Sequence, residues 1–343
     1  MVAPPVGIRP TLSLVLPIYN EEEVIPELHK RLQEFLTKLA VPSEVVFVND
    51  GSRDRSMEML RAIAAGEPRY RIVSFARNFG HQRAITAGVD YARGQAVVVM
   101  DADLQDPPEV VLEMVEKWRQ GFDVVYGRRR KRAGETFFKL VTARLFYRVF
   151  AAMIPIEVPL DTGDFRLMSR RVVVVLRELR ETHRFVRGMV AWVGFKQTEV
   201  LYDRPGRFAG ETKYPLRKMA AFAIDGITSF SIVPLRFATY MGMLMILASV
   251  GIIVWALVSK YVMHQVVQGW TGIMIALAVF SSVQLLMIGI LGEYIGRIYE
   301  EVKRRPLYVV GDTVNASKDE ENAHPDLSPA AAGEQVSGSP QGK

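Results

Sequence analysis

The chain has 343 residues, of which 49% are hydrophobic and 23% charged, and its 43 basic and 37 acidic side chains give a formal charge of +6. This length allows one large domain or two ordinary ones, and the composition excludes a disordered chain or a collagen-like fibre. The absence of cysteine excludes disulfides, thiolate nucleophiles and cysteine-ligated metal centres. Residues 1–10 lack an apolar core behind Arg9, so we expect no cleavable signal peptide.

Charge and hydropathy are unevenly distributed along the chain. Residues 312–343 contain six acidic and two basic side chains, so the remainder carries a charge of about +10. The mean hydropathy of +0.11 is high for a chain with this many charges, which indicates that the apolar residues are concentrated in particular segments. A globule surrounded only by water is therefore not expected.

The N-terminal part of the chain alternates between apolar strands and helical patterns. The predicted strands are residues 12–19, 44–49, 71–75, 96–100 and 123–126. The predicted helices between them are residues 22–39, 56–65, 81–91 and 108–120. This alternation predicts an α/β fold with a mostly parallel sheet that is covered on both faces. Ligands of such sheets bind at the carboxyl ends of the strands.

Two common nucleotide-binding patterns are absent. No Gly-x-Gly-x-x-Gly follows the first predicted strand, and no Gly-x-x-x-x-Gly-Lys-Ser/Thr occurs in the chain. The sequence therefore lacks the main motif that would indicate a dinucleotide-dependent oxidoreductase or a P-loop NTPase. The sheet is expected to hold its ligand with side chains and a metal instead.

Polar residues follow three of the predicted strands. They are Pro17-Ile18-Tyr19-Asn20-Glu21, Asn49-Asp50-Gly51-Ser52 and the run from Asp101 to Asp106. In the third run, Asp101 and Asp103 place two carboxylates at a strand end, and Gln105 adds an amide oxygen. Such hard oxygen ligands suit Mg²⁺ or Mn²⁺, while Pro107 and Pro108 exclude an EF-hand loop. The alternative is that the two aspartates cap the following helix.

A helical stretch at residues 136–153 combines aromatic and basic side chains. These are Phe137, Phe138, Phe146 and Phe150 with Lys139, Arg144 and Arg148. The mixture is typical of a helix that lies at a membrane surface. Residues 215–230, with Arg217 and Lys218 near their start, form a second candidate. The alternative for each is an ordinary helix that faces the protein core.

Two segments near the C-terminus are long and apolar enough to cross a membrane. Residues 238–258 and 271–291 are each 21 residues long without a charged side chain, close to the ~20 that a transmembrane helix needs. The alternative is a helical hairpin buried in a soluble core, although Gln284 is the only strongly polar side chain in either segment. Basic residues flank the outer ends, and the connecting segment has few, so both termini are expected to be cytoplasmic.

Several motifs occur in a fixed order along the chain. They are Pro17-x-Tyr19-Asn20-Glu21-Glu22, Asn49-Asp50-Gly51-Ser52-x-Asp54, Asp101-x-Asp103-x-Gln105-Asp106-Pro107-Pro108-Glu109, Asp161-Thr162-Gly163-Asp164-Phe165-Arg166-Leu167, Arg207-x-x-Gly210-x-x-Lys213-Tyr214 and, after the apolar segments, Arg304-Arg305-Pro306-Leu307-Tyr308. In this combination, over roughly residues 12–310, the chain resembles the family 2 inverting glycosyltransferases that load a sugar onto polyisoprenyl phosphate. It is most similar to the bacterial branch with two C-terminal transmembrane helices, which includes bactoprenol glucosyltransferases and undecaprenyl-phosphate formamido-arabinose transferases, and it also resembles dolichol-phosphate mannose synthases.

The resemblance implies a GT-A (Rossmann-like) fold and a set of donor-binding residues. Those on the nucleotide side are Pro17, Tyr19, Asn20, Glu21 and Asp50, with Asp50 near the base or ribose. Asp101, Asp103 and Gln105 would surround Mg²⁺ or Mn²⁺ and the donor diphosphate. Arg128 would contact the same diphosphate, although its place in a run of basic residues also suits a solvated surface. Asn49 stands where many family members have aspartate, which puts a secondary donor contact in doubt.

The resemblance also implies an acceptor side. Arg207 and Lys213 would belong to a basic loop that closes over the phosphates. Asp164 would be the catalytic base, and Asp161 is a less favoured alternative because a carboxylate beside a glycine turn is often only turn chemistry. A phosphate monoester, with a second pKa near ~6, is already mostly a dianion at neutral pH. Asp164 is therefore expected to position the acceptor or stabilise the transition state as much as to accept a proton.

The implied reaction displaces a nucleoside diphosphate from the anomeric carbon of a sugar by a lipid phosphate oxygen. UDP-glucose is the first expected donor and GDP-mannose the second. The expected partners are the nucleotide sugar, the polyprenyl phosphate and the membrane, without nucleic acid, and a homo-oligomer is left open. The rival functions are a processive polysaccharide synthase, which would carry Gln-x-x-Arg-Trp where this chain has Arg184-Phe185-Val186-Arg187-Gly188, and a non-catalytic membrane-anchored binding protein.

The expected domain organisation follows from these assignments. Residues 1–212 form the catalytic domain, 213–236 a juxtamembrane amphipathic helix, 237–297 the transmembrane domain, and 298–311 a cytoplasmic segment. Residues 312–343 are expected to be disordered, because their composition cannot bury enough apolar surface. The protein would lie in the cell (inner) membrane, with two spans and a cytoplasmic catalytic domain.

Overall fold

The computed structural model describes residues 10–39, 41–130, 162–203, 228, 231–263 and 269–316. The chain forms two compact units, one containing a sheet with its helices and the other containing two long apolar helices. The predicted interfacial helix at 136–153 lies outside the described residues, as do Asp161, Arg207, Lys213 and most of the predicted juxtamembrane helix.

The described residues of the first unit contain eight strands in one sheet. They are β1 (Leu12–Ile18), β2 (Ser43–Asn49), β3 (Tyr70–Phe75), β4 (Ala96–Val99), β5 (Val124–Arg129), β6 (Thr162–Ser169), β7 (Gln197–Tyr202) and β8 (Val310–Val314). The strand order is β7-β5-β6-β4-β1-β2-β3-β8. Strands β1 to β4 run parallel, as do β5 and β7, whereas β6 is antiparallel to both neighbours and β8 is antiparallel to β3. The predicted α/β fold is confirmed, and β1 to β5 are the predicted strands.

Six helices accompany this sheet within the described residues. They are α1 (Ile25–Lys38), α2 (Ser56–Gly66), α3 (His81–Tyr91), α4 (Val110–Arg119), α5 (Arg170–Glu178) and α6 (Val186–Val193). The apolar residues of α1 recur at helical spacing and are buried, so that one side of the helix joins the hydrophobic core. The first four helices correspond to the predicted ones.

Helix α3 lies unusually close to β1. A Cβ atom placed on Gly88 would be only 2.1 Å from Cγ1 of Val15, so glycine alone permits this approach. Because α3 begins at His81, the close packing fixes where the first turn of the helix lies relative to the carboxyl ends of the strands.

Strand β8 corrects the expected boundary of the disordered tail. The expected tail begins at residue 312, whereas Asp312 and Thr313 pair with Ser74 and Val73 of β3. The short segment is held by strand pairing and by Asn315, whose side chain donates to the carbonyl of Tyr70 at 3.0 Å. The acidic composition of the tail concealed this strand.

The second unit contains α7 (Val233–Tyr261) and α8 (Trp270–Val302). The predicted spans, 238–258 and 271–291, lie within these helices, whose candidate membrane segments have mean hydropathies of 2.5 and 2.2. No residue of the most apolar window of either helix is buried, so the described structure does not match a hairpin enclosed in a soluble core. Pro234 lies in the first turn of α7, where the helix needs no amide donor.

Candidate active site

Four ionisable side chains meet where the carboxyl end of β4 lies beside the start of β6. His81 Nε2 is 3.2 Å from Asp164 Oδ2 and 3.6 Å from Asp101 Oδ1. Arg187 donates from Nε to Asp164 Oδ1 at 2.8 Å and from Nη2 to Asp164 Oδ2 at 3.1 Å. Strand β6 brings Asp164 here because it runs antiparallel to β4. We call Asp101, His81, Asp164 and Arg187 the carboxyl-end cluster.

Asp164 is buried, and both of its carboxylate oxygens have partners. Besides Arg187 and His81, the amide of Gln82 donates to Oδ2 at 3.4 Å. Burial would raise the pKa of Asp164, but the charge of Arg187 and the hydrogen bonds from His81 and Arg187 outweigh it, so the pKa lies well below its usual range. A carboxylate held in this way stays ionised and is a poor proton acceptor, which favours the positioning role.

Asp101 has the opposite electrostatic environment. Burial raises the pKa of Asp101 to about 6, although the nearby His81 opposes the shift and the carboxylates of Asp106 and Asp164 add to it. Its Oδ1 is buried and has no hydrogen-bond partner. This oxygen faces His81 at 3.6 Å but accepts no hydrogen bond, and a buried carboxylate oxygen of this kind at a strand end suits a divalent cation.

The neighbouring residues fit the same cation. Asp103 Oδ1 accepts a hydrogen bond from the backbone of Gln105 at 3.1 Å, and Leu104 between them has a φ of +61°, so the turn is tight. The described residues contain no group of three or more His, Cys, Asp or Glu side chains arranged around a metal position. A cation held by Asp101 and Asp103 would thus complete its shell with Gln105, water or donor oxygens. No side chain caps α4, so the capping alternative is not what the structure shows.

His81 lies between the two carboxylates and is 45% exposed. Burial lowers the pKa of His81, but the hydrogen bond to Asp164 and the charges of Asp101 and Asp164 outweigh it, and the net pKa is raised. The imidazole is therefore protonated more readily than an unperturbed histidine, at a position where phosphate oxygens are expected.

The carboxylate of Asp50 is hydrogen-bonded to the loop that follows β3. It accepts hydrogen bonds from the Asn78 side chain at 3.0 Å and from the backbone of Phe79 and Gly80 at 2.7 and 3.0 Å. The loop lies directly on Gly51, where a Cβ would be 2.4 Å from the Arg77 carbonyl carbon. Asp50 is thus placed to order this loop, and its direct contact with a base or ribose stays a prediction.

The loop after β1 is bound to the loop after β2. Asn20 accepts a hydrogen bond from the Arg53 amide at 2.9 Å, and Ser56 Oγ accepts one from the Glu21 amide at 2.9 Å. Tyr19 is exposed, whereas Pro17 is buried within β1. Of these donor-side residues, Tyr19 therefore offers an open ring for stacking, and Pro17 shapes the strand end.

Arg128 is paired with Glu199 of the adjacent strand. Its Nη1 lies 3.0 and 3.1 Å from the two carboxylate oxygens, and both side chains are partly exposed. The arrangement matches the alternative of a solvated surface residue. Contact between Arg128 and a donor diphosphate stays a prediction and would require Arg128 to leave Glu199.

Sequence reasoning missed three residues of this region: His81, Gln82 and Arg187. His81 and Gln82 form the start of α3, and Arg187 is in the first turn of α6. His81 and Gln82 could have been found from the sequence, because they begin a predicted helix that follows a predicted strand, on the ligand-binding side of the sheet. No strand was predicted for β6, so nothing in the sequence indicated that Arg187 would meet Asp164.

Comparison with known proteins identifies the family of the chain. Residues 13–176 match the family described as glycosyl transferase family 2, and residues 233–298 match the GtrB C-terminal hairpin. The uncharacterized glycosyltransferase YkcC of Bacillus subtilis is 53% identical over 298 residues, covering 87% of this chain and 92% of the relative.

Two further relatives carry more specific names. The prophage bactoprenol glucosyl transferase homolog of Escherichia coli is 40% identical, with 87% of this chain and 98% of the relative covered. The bactoprenol glucosyl transferase of Shigella phage SfII is 41% identical, with 87% and 97% covered. At this identity and coverage, the chain belongs to glycosyltransferase family 2, in the group with a GtrB-type C-terminal hairpin, and is a glycosyltransferase.

Proposed function

We propose that the protein transfers a sugar from a nucleotide-sugar donor to a polyisoprenyl phosphate, with inversion at the anomeric carbon. The observation that carries the proposal is the carboxyl-end cluster, in which a buried oxygen of Asp101 without a hydrogen bond lies near His81 and the Asp164–Arg187 ion pair. Two relatives are named bactoprenol glucosyl transferases, which supports a polyprenyl acceptor and transfer of glucose. We take UDP-glucose as the first candidate donor and GDP-mannose as the second.

In the proposed reaction, an oxygen of the lipid phosphate attacks the anomeric carbon while the bond from that carbon to the diphosphate breaks. The acceptor dianion supplies the electron pair, so no proton has to be removed from it. Arg187 and, when it is protonated, His81 offset the negative charge of the phosphates, and Asp164 fixes the position of both side chains. Bound Mg²⁺ or Mn²⁺ would stabilise the leaving diphosphate, with Asp101, Asp103 and Gln105 as its protein ligands.

The proposed reaction is tested by a donor screen with the purified full-length chain, undecaprenyl phosphate, Mg²⁺ or Mn²⁺ and labelled UDP- and GDP-sugars. We expect one donor to give a lipid-linked product, and we expect Asp103→Asn or EDTA to abolish it. Glu116→Gln is the matched control, because Glu116 is an exposed carboxylate of α4 that pairs with Arg119 and lies outside the carboxyl-end cluster. Full transfer in EDTA would show that the reaction needs no divalent cation. Binding of a donor without turnover would favour the non-catalytic alternative.

We also propose that α7 and α8 span the cell membrane, with the catalytic unit and both termini cytoplasmic and with Arg207 and Lys213 in a loop over the substrates. The cysteine-free sequence makes the topology directly measurable. Met263→Cys, beyond the end of α7, should react with an impermeant maleimide from outside the cytoplasmic membrane, whereas Asp203→Cys after β7 should not. Labelling of Asp203→Cys but not of Met263→Cys would show that the topology is opposite to the one proposed.

A further inference from the structure

The segment that follows α8 returns to the catalytic sheet. We call residues 306–316 the strap. Within it, β8 covers the edge of β3, and the Val309 carbonyl accepts a hydrogen bond from the Ala76 amide at 3.0 Å. Gly311 approaches Ala76 so closely that an added Cβ would lie 3.2 Å from the Ala76 Cα. The strap thus contacts the first residue after β3, where the loop that holds Asp50 begins.

Tyr308 ties the strap to α3. Its hydroxyl donates to Asp90 Oδ2 at 2.7 Å, and Arg180 donates to both oxygens of the same carboxylate at 2.7 and 3.0 Å. Asp90 is buried near the end of α3, and His81 is the first residue of that helix. A hydrogen bond to a buried carboxylate is of the stronger, charge-assisted kind.

An aromatic series continues from Tyr308 into the site. The ring of Tyr308 stacks on Phe75 with centroids 5.0 Å apart, and Phe75 meets Phe79 edge to face at 5.6 Å. The Phe79 amide donates to Asp50 Oδ1 at 2.7 Å. Packed side chains therefore join the strap to the carboxylate that the family resemblance places on the donor side.

We propose that Tyr308 is a positioning residue, and that the strap holds residues 76–80 in the conformation that the donor site requires. The proposal gives a role to the motif Arg304-Arg305-Pro306-Leu307-Tyr308 and rests on the proposed function for its kinetic consequence. Because α8 ends at Val302, few residues separate the apolar hairpin from the strap, and the chain after the membrane segment becomes part of the catalytic unit.

Hydrogen exchange tests the structural half of the proposal without any substrate. In the full-length protein in detergent, Tyr308→Ala should speed amide exchange in peptides covering residues 76–81, and Tyr308→Phe, which keeps the ring stacking, should do so less. Tyr70→Phe is the matched control, because Tyr70 is buried on β3 and its hydroxyl has no partner. Exchange in β1 should not change. Unchanged exchange in residues 76–81, or faster exchange across the whole sheet, would overturn the proposal.

Kinetics test the functional half. With undecaprenyl phosphate as acceptor, Tyr308→Ala should raise KM for UDP-glucose, or for whichever donor the screen identifies, about tenfold, with a smaller rise for Tyr308→Phe. The kcat should stay within about twofold, because Arg180 still pairs with Asp90 and holds α3, which carries His81 of the carboxyl-end cluster. A lower Tm with unchanged KM, or a loss confined to kcat, would overturn the positioning role.

The two readouts separate this inference from the proposed function. A wild-type protein that transfers no sugar would contradict the proposed function, while the exchange of residues 76–81 would still decide whether the strap orders the loop. A wild-type protein that is active and a Tyr308→Ala variant with wild-type exchange and KM would contradict the inference alone.

Discussion

Asp164 and Arg187 form an ion pair in which the carboxylate is buried and the guanidinium is partly exposed. Breaking such a pair by removing one charge is costly, because the remaining charge keeps its desolvation penalty without its partner. The depressed pKa of Asp164 means that its stabilising ionised form is present above the ordinary pKa of about 4 and is lost only as the pH falls through the lower folded value. Asp164 therefore does not change its charge between pH 5 and pH 9.

This constancy predicts the pH profile of an Asp164→Asn variant. Its transfer rate should fall about tenfold or more, because Arg187 and His81 lose the carboxylate that orients them. The rise in rate near pH ~6 that comes from ionisation of the acceptor should remain in both proteins. Initial rates from pH 5 to pH 9 with saturating substrates would measure both effects.

Asp123→Asn provides a matched control for that experiment. Asp123 is as buried as Asp164 and is also paired with an arginine, Arg171, but it lies outside the carboxyl-end cluster. Its loss should lower stability without lowering the rate per folded molecule. If the residual rate of Asp164→Asn instead climbs with hydroxide from pH 7 to pH 9 while wild type is flat, Asp164 is a true proton acceptor.

At the level of secondary-structure elements, the sequence predicted the strands and helices that have a clear hydrophobic pattern. Strands β1 to β4 consist mostly of apolar residues and are buried on both faces, so their pattern could be recognised even though β2 and β3 share one buried ion pair, Glu44–Arg71. Strand β6 is equally buried but contains Asp164 and Arg166, whose charges are compensated only in the folded sheet. The strand ends and the Asp101–Gln105 turn could be predicted, whereas the meeting of His81 and Arg187 with Asp164 depends on tertiary packing.

The packing of α3 gives a prediction at this level. Gly88→Ala should destabilise the protein by about 1–3 kcal/mol, because the added methyl overlaps Val15 and the helix must move away from β1. Since α3 carries His81 and Gln82, the same shift should also lower the transfer rate. The Tm of the detergent-solubilised protein and initial rates would report the two effects separately.

Gly66→Ala is the control for the helix substitution. Gly66 ends α2, and an added Cβ there meets no atom within 4 Å. Its Tm should be unchanged or slightly raised, because alanine restricts the unfolded chain without strain in the folded one. A Gly88→Ala protein as stable and as active as Gly66→Ala would show that α3 tolerates displacement from β1.

At the scale of the whole molecule, the chain joins a charged catalytic unit to an apolar hairpin. The sheet unit carries the charged cluster, the hairpin carries the exposed apolar helices, and the strap returns the chain from the second to the first. Strand β8, which lies in the strap, was not expected from the sequence. A fragment that ends near residue 213 would therefore lack β8 as well as the hairpin. Testing the role of the hairpin alone requires a protein that keeps the strap.

The last prediction concerns such a protein, in which a long glycine–serine linker replaces residues 233–305. It should bind UDP-glucose with nearly the affinity of the intact chain, because the strand ends, the carboxyl-end cluster and the strap are retained. It should transfer poorly to full-length undecaprenyl phosphate, since holding two reactants in geometry can contribute ~7–11 kcal/mol and the acceptor is confined to a lipid surface. Isothermal titration and transfer assays would measure this, with a water-soluble short-chain acceptor as the control on which the two proteins should differ least. Equal transfer to the full-length acceptor would show that the hairpin is only an anchor.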